Sequence, residues 1–467
     1  MYNIAIIGGG PAGYTAAEVA HQAGWKVVLF EKDTIGGTCL NVGCIPTKTL
    51  LYSAKQYHNA RNAQKYGVTA ENVSFDYLKM QQRKQKVVRK LVAGIRQRLQ
   101  GCDLVNADAK VVERTDNKII IEADGTRYEA GQLLICTGSV NFTPPIPGLK
   151  DNPFVWDSTD ALSAKELPKS ILIVGGGVIG MEFATLYAEL GIPVTVVEAM
   201  PRILPQLDED CVNLLIEKNR KQGITILTAT KVLKAEENTL VVEEQNEEKI
   251  TQTLSADRIL VCVGRRANLQ GLEALGDLHI ERGAVKVNDF MQTNLPNVYA
   301  AGDVTGKVML AHVAARQAEV AVGRMLKQIP LQRIAYNAIP SVVYTNPEIA
   351  SVGLTVPQLE EFYREMEGEE TFLKKGGAEA FFQVKQLPMT YSGRYVAENE
   401  GETGLCKLIL DRRNQTILGV HCIGNPASEF IAAASFAVRM GYTLGEFRQV
   451  IFPHPTVSEI LKEVVNG

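Results

Sequence analysis

An α/β fold is predicted for this chain of 467 residues: two Rossmann-like units in tandem, followed by a smaller α+β unit. Three observations predict it. A Gly-rich turn framed by apolar strands occurs twice at one spacing. Between the two copies, residues 103–136 alternate apolar and polar as antiparallel strands do. After about residue 339, strand-like runs alternate with one long apolar helix.

The first copy reads Ile4 to Ile7, then Gly8-Gly9-Gly10-Pro11-Ala12-Gly13, a helical stretch to Gly24, and Val27 to Glu31. The second reads Ile171 to Val174, then Gly175-Gly176-Gly177-Val178-Ile179-Gly180, a helix to Gly191, and Val194 to Glu198. In each the acid falls 18 residues after the third glycine (13 to 31, 180 to 198). One such turn is weak evidence; strand, turn, helix, strand and acid in the same order twice is strong. The first glycine allows the tight turn, the second lets a pyrophosphate approach the backbone, and the third lets the helix pack on the strand. The chain thus reads as two Rossmann-like dinucleotide-binding domains plus an α+β C-terminal dimerisation domain.

Residues 72–101 read as a long basic helix containing Arg83, Lys84, Lys86, Arg89, Lys90 and Arg96, with Val87, Val88, Leu91, Val92 and Ile95 interleaved at helical spacing. That pattern suits a solvated face more than an anionic partner. Pro144-Pro145-Ile146-Pro147-Gly148 punctuates the chain. The expected units are 1–147, 148–268, a central segment 269–338 and an interface unit 339–467. In the last, Cys406 to Leu410 and Ile417 to Cys422 read as strands. The helix Ala427 to Met440 is rich in small residues, which suits close packing at a subunit interface. Glu360 to Val384 reads as an extra surface excursion.

Composition limits the function. Hydrophobic residues are 46% and charged residues 22%, with net charge −3. These values suit an ordinary globular protein and give no electrostatic case for nucleic acid or an acidic membrane. No apolar run approaches the ~20 residues of a membrane span. The strand pattern begins at once after Met1, so a cytoplasmic location is expected. Eight cysteines are too few for a disulfide scaffold, and Cys102, Cys136, Cys211, Cys262, Cys406 and Cys422 read as buried small hydrophobes.

Cys39 and Cys44 differ, lying in Gly36-Gly37-Thr38-Cys39-Leu40-Asn41-Val42-Gly43-Cys44-Ile45-Pro46-Thr47-Lys48. Four residues separate the thiols, directly after a dinucleotide unit, and Lys48 follows Cys44 by about one helical turn. A thiolate near a helix N-terminus and a cation is stabilised. Zinc would need about four ligands, and no second Cys/His cluster lies nearby. The pair reads as a redox couple with no metal.

These motifs, with Gly264-Arg265-Arg266-Ala267-Asn268, the run from Thr293 to Gly306 and His454-Pro455-Thr456-Val457-Ser458-Glu459, resemble the FAD-dependent pyridine nucleotide-disulfide oxidoreductases, in the family's order and over nearly the whole chain. The resemblance is greatest to the branch that oxidises protein-bound dihydrolipoamide with NAD⁺. It implies that FAD is held by Gly8, Gly10, Pro11, Ala12, Gly13, Glu31, Gly37, Thr38, Lys48, Ala109, Thr137, Gly138, Ser139, Asp303, Met309, Leu310, Ala311 and His312. It places NAD on Gly175, Gly177, Val178, Ile179, Gly180, Glu198, Val232 and Gly264. Glu198 suits a free ribose 2′-OH and repels a 2′-phosphate, whereas Arg202 in the same loop would suit one.

The resemblance also implies a Cys39–Cys44 redox disulfide, a Lys48–Glu182 pair beside the flavin, and a His454–Glu459 pair that reaches the active site of the other subunit of a homodimer. The remaining partner would be the lipoyl domain of an acyltransferase or a lipoyl carrier protein. Glutathione and trypanothione reductases would favour NADPH and a basic residue at position 198. Mercuric and large thioredoxin reductases would carry a C-terminal redox pair, yet no cysteine follows Cys422. A scaffold role docking to an acyltransferase core is the remaining alternative class. Cys136 and Thr47 depart from the family's commoner Ala and Ser.

Overall fold

Ile4, Ala5, Ile6 and Val28 have no exposed surface, so the strands Tyr2–Ile7 and Val27–Phe30 are covered on both faces, as parallel strands joined by a crossover helix must be. In the computed structural model, which describes residues 1–115, 117–328 and 333–467, they pair in parallel with Ile4 opposite Val27 and Ile7 opposite Phe30. Residues 329–332, at the end of the expected central segment, lie outside the described residues. The crossover is the helix Pro11–Gln22. Pro11 opens it at a position where its missing N–H costs nothing.

The first sheet runs Asp103–Val105, Val27–Phe30, Tyr2–Ile7, Thr126–Ile135, Ile119–Ala123, Ala109–Arg114. Its last three strands form an antiparallel meander. The short strand Val298–Ala300 pairs in parallel with Leu133 to Ile135, so the chain re-enters this sheet after the second unit. The second sheet, Thr225–Leu227, Val194–Val197, Ile171–Val174, Arg258–Val261, Val155–Trp156, is parallel throughout. A three-stranded antiparallel sheet, Thr230–Glu236, Thr239–Glu244 and Thr251–Ser255, packs against it around Ala235, Leu240 and Val242.

The C-terminal sheet is antiparallel, in the order Ser341–Val343, Ile349–Gly353, Ile417–Ile423, Leu405–Asp411, Phe382–Pro388. The helix Ala427–Met440 lies on it through Phe430, Ile431, Ala434, Ala437 and Val438. Its other side presents Phe436 and Met440 to solvent, 71% and 64% exposed.

Three expectations need correction. The 360–384 stretch is no surface excursion. It contains the helices Val356–Glu367 and Glu369–Lys374 and enters the strand Phe382–Pro388. Its Tyr363, Phe372, Phe381 and Phe382 stack into a core with Leu359 and Ile409. The basic helix spans Tyr77–Arg98, capped by the Asp76 carboxylate on the Lys79 N–H. Within it Lys84 is buried, donating to the Leu162 carbonyl and to Gln81, while Leu91 is 41% exposed. Cys102 is only half-buried, because its thiol turns to the Ala17 carbonyl.

Candidate active site

Each Gly-rich turn is shaped by what a side chain would strike. Gly8 has φ +104°, and a Cβ there would stand 2.1 Å from the Cys136 carbonyl oxygen; a Cβ on Gly13 would stand 1.8 Å from the Gly8 carbonyl oxygen. Gly10 is different, with no atom nearer its would-be Cβ than the Gly37 Cα at 3.9 Å. The outer glycines are therefore demanded by the protein itself, and the middle one keeps a surface bare. The second copy repeats this. Gly175 (φ +108°) faces the Cys262 carbonyl at 2.5 Å, Gly180 faces the Gly175 carbonyl at 2.0 Å, and Gly177 has nothing within 4 Å. The acids repeat as well. Glu31 accepts from the N–H groups of Gly9 and Asp33 (both 2.9 Å), and Glu198 accepts from those of Gly176 (2.6 Å) and Met200 (2.7 Å).

Both turns open into one cleft of about 2240 Å³. One drug-sized ligand needs roughly 300–1,000 Å³, so the cleft has room for two dinucleotides. Every expected site residue lines it except Gly13, Gly180, His454 and Glu459. Gly13 and Gly180 sit where the helix closes on the turn, each against the carbonyl of the turn's first glycine.

Cys39 lies in the helix Gly37–Val42, and Cys44 is the first residue of the 18-residue helix Cys44–Arg61. Gly43 between them is required, since a Cβ would stand 2.9 Å from the Thr38 carbonyl oxygen. Both thiols are free, which is the reduced form of the pair. Cys39 donates to the Cys44 sulfur, and this bond, aided by Lys48, lowers the Cys44 thiol to about 7. Cys39 moves upward, through its bond to Cys44 and then through burial.

Lys48 Nζ reaches across to the second unit, 2.8 and 2.7 Å from the two Glu182 oxygens. Glu182 is buried on the helix Val178–Glu189 and also accepts from the Tyr344 N–H at 3.1 Å. Lys48 Nζ lies 4.7 Å above the Tyr344 ring. Behind the cleft, Asp303 accepts from Ser139 Oγ at 2.6 Å. Arg265 donates through Nε to Ser139 Oγ and through Nη2 to the Ser139 carbonyl (both 2.7 Å), and through Nη1 to Asn141. Gln317, fully buried, accepts from the Gly302 N–H at 2.7 Å. The His312 Nε2 lies 2.9 Å from the Pro340 carbonyl oxygen.

His454 stands apart from its own chain's cleft. Its side chain is 81% exposed, with Nδ1 3.0 Å from Glu459 Oε1. The Thr456 N–H, followed by His454, holds Glu459 below the usual carboxylate range. Among the described residues, no three His, Cys, Asp or Glu side chains are grouped to hold a metal ion, and no helix is long and apolar enough to cross a membrane.

Residues 2–318 match the family model described as pyridine nucleotide-disulphide oxidoreductase, and residues 339–465 match that family's dimerisation domain. The chain belongs to this family. Its curated relatives include dihydrolipoyl dehydrogenases of Thermus scotoductus (38% identical, over 100% of this chain and 97% of that protein), Mycoplasma pneumoniae (36%, 99% and 97%) and Bacillus subtilis (36%, 98% and 94%). Among solved structures, the HOCl-induced flavoprotein disulfide reductase RclA from Escherichia coli superposes with TM-score 0.82 at 30% identity, over 100% of this chain and 99% of that one. LpdA from Mycobacterium tuberculosis superposes with TM-score 0.86 at 26% identity, over 99% and 98%.

Members of the pyridine nucleotide-disulphide oxidoreductase family are flavoproteins that bind FAD and NAD(P). The two bare cradles fit two such dinucleotides. Its dimerisation domain supports a homodimer. Sequence reasoning did not single out Arg265, Asn141, Tyr344 or Gln317. Arg265 sat in a motif beside Arg266, and only the strand's facing decides which of the two turns inward. The other three carry no local signal.

Proposed function

We propose that this chain is a cytoplasmic NAD-dependent oxidoreductase of dihydrolipoamide carried on the lipoyl domain of an acyltransferase or on a lipoyl carrier protein. One observation carries the reading: a thiol pair whose Cys44 is poised as a thiolate opens on a cleft with two dinucleotide cradles. The first cradle, with Ser139 and Asp303 behind it, suits FAD; the second suits the nicotinamide nucleotide. Glu198 favours NAD over NADP. Arg202, the residue that would suit a 2′-phosphate, is already engaged by the Pro205 carbonyl (2.7 Å) and Glu209 (3.7 Å).

With Nδ1 held by Glu459, His454 of one protomer takes the proton of a substrate thiol at Nε2. The substrate thiolate attacks Cys39 Sγ of the other protomer. The Cys39–Cys44 bond breaks, and Cys44 leaves as a thiolate steadied by Lys48 and the helix N-terminus. The second substrate thiol attacks this mixed disulfide and closes the lipoyl disulfide; its proton passes to the released Cys39, and His454 keeps the first. Bound FAD supplies the two-electron route from the dithiol to NAD⁺, which re-forms the protein disulfide. Lys48, fixed by Glu182 at the cleft wall, would hold its cation beside the bound cofactor.

The test is NADH formation by FAD-loaded protein supplied with dihydrolipoamide, in the presence of NAD⁺ or NADP⁺. Product is expected with NAD⁺ only, and none with the Cys44→Ser variant. Undiminished turnover in that variant sinks the scheme. A flavin reduced by NADH yet untouched by dihydrolipoamide moves the substrate to another disulfide.

A further inference from the structure

We infer that the basic face of the helix Tyr77–Arg98 is the docking surface for an acidic carrier of the dihydrolipoyl group. The inference rests on the function proposed above and names the partner surface for that same site. This helix of 22 residues contains Lys79, Arg83, Lys84, Lys86, Arg89, Lys90, Arg96 and Arg98, and no Asp or Glu. At 3.6 residues per turn, Lys79, Arg83, Lys86, Arg89, Lys90 and Arg96 share one arc of about 140°. All six are exposed, whereas Gln81, Lys84 and Ile95 on the far side are buried.

A solvated helix normally interleaves both signs at i, i+4. Here the ion pairs among described residues lie only at the ends, Lys79 with Asp76 and Arg98 with Glu18. Arg83, Lys86, Arg89, Lys90 and Arg96 between them face no carboxylate of a described residue. Their charge stands out locally on a chain whose net charge is −3.

The place of this face decides what it meets. Arg83 donates to the Thr49 carbonyl at 2.9 Å and lies over the Tyr52 ring, both on the helix that begins at Cys44. The basic helix also packs on Gly37–Val42, which holds Cys39. A carrier arm that delivers its dithiol to these thiols brings its own domain alongside. Exposed Tyr52 under Arg83, and Leu78 at the edge of the arc, add apolar contact beside the charges. An acidic carrier would be steered here at low salt and lose that advantage as salt screens it.

The test compares kcat/KM of the FAD-loaded enzyme for two dihydrolipoyl-lysine peptides of equal length. One is flanked by glutamates and the other by lysines, with free dihydrolipoamide as reference. The acidic peptide is expected to win by about tenfold or more at low ionic strength, as steering effects of this kind do. The advantage should vanish near 1 M salt, where the screening length is about 3 Å. It should reverse in the Lys86→Glu/Arg89→Glu/Lys90→Glu variant, or vanish in the corresponding Gln variant if the former does not fold. Equal use of both peptides by an enzyme that oxidises free dihydrolipoamide overturns the docking surface and leaves the function standing. The same holds if the preference survives the substitutions, or if the face binds only duplex DNA or phosphatidylglycerol vesicles. No oxidation of free dihydrolipoamide overturns both.

Discussion

Cys44 receives a hydrogen bond from Cys39, a favourable charge from Lys48, and the N-terminus of its helix. Its thiol is lowered from 9.0 to about 7, so the reduced enzyme holds a substantial thiolate fraction at neutral pH. Alkylation of Cys44 by iodoacetamide, followed by mass spectrometry, should rise through pH about 7. In Lys48→Met that profile should move upward, because a cation favouring the thiolate is gone. An unchanged profile would assign the lowering to Cys39 alone. At this scale the sequence is legible where chemistry is encoded in short spacing, as in the paired glycines, the acids 18 positions on and the two cysteines. It is silent where a residue acts through a distant partner. Arg265 meets Ser139, 126 positions away, and nothing local distinguishes it from Arg266.

The helix Val178–Glu189 ends on a carboxyl that is 6% exposed. Burial raises Glu189 from 4.5 to about 7, against the Asn346 amide at 2.6 Å and the more distant Lys55 and Lys218. Because the folded value lies above the unfolded one, the folded state keeps a proton that the unfolded chain gives up. The resulting stability is complete below about 4.5 and is lost as pH rises through about 7. The shift corresponds to roughly 3 kcal/mol. Glu189→Gln should therefore raise the melting temperature at pH 8 and change it little at pH 4.5, as scanning calorimetry would register. An equal effect at both values would show that the carboxyl is not held neutral. Among elements, the helix Ala427–Met440 is legible from its run of apolar and small residues, interrupted only by Ser428, Glu429, Ser435 and Arg439. The 360–384 stretch reads as a surface excursion because its aromatic residues are spread thinly among charges and glycines, and they meet only in three dimensions.

Across the whole molecule, Phe436, Met440 and Ile451 present apolar surface, Ile451 being 94% exposed. His454 stands clear of its own chain's cleft nearby in sequence. A self-complementary two-fold contact through this domain would cover the first and give the second a site to serve. Cys44→Ser and His454→Ala dimers, each inactive alone, should recover about a quarter of wild-type turnover after dissociation and remixing in equal amounts, since half the dimers then hold one intact site. No recovery, with subunit exchange verified by native mass spectrometry, would place His454 in its own chain's site or in none.

The strand Val298–Ala300 fills the flank of Leu133 to Ile135, and Asp303 behind it reaches Ser139. Synthesis runs from the N-terminus, so the first sheet waits for its last strand while some 165 further residues are made (135 to 300). At ribosomal speed this is roughly 10–30 s. During that interval an apolar strand edge lies open to any neighbouring chain. The nascent polypeptide is then most in need of a chaperone, and a fragment ending near residue 147 would never leave that condition.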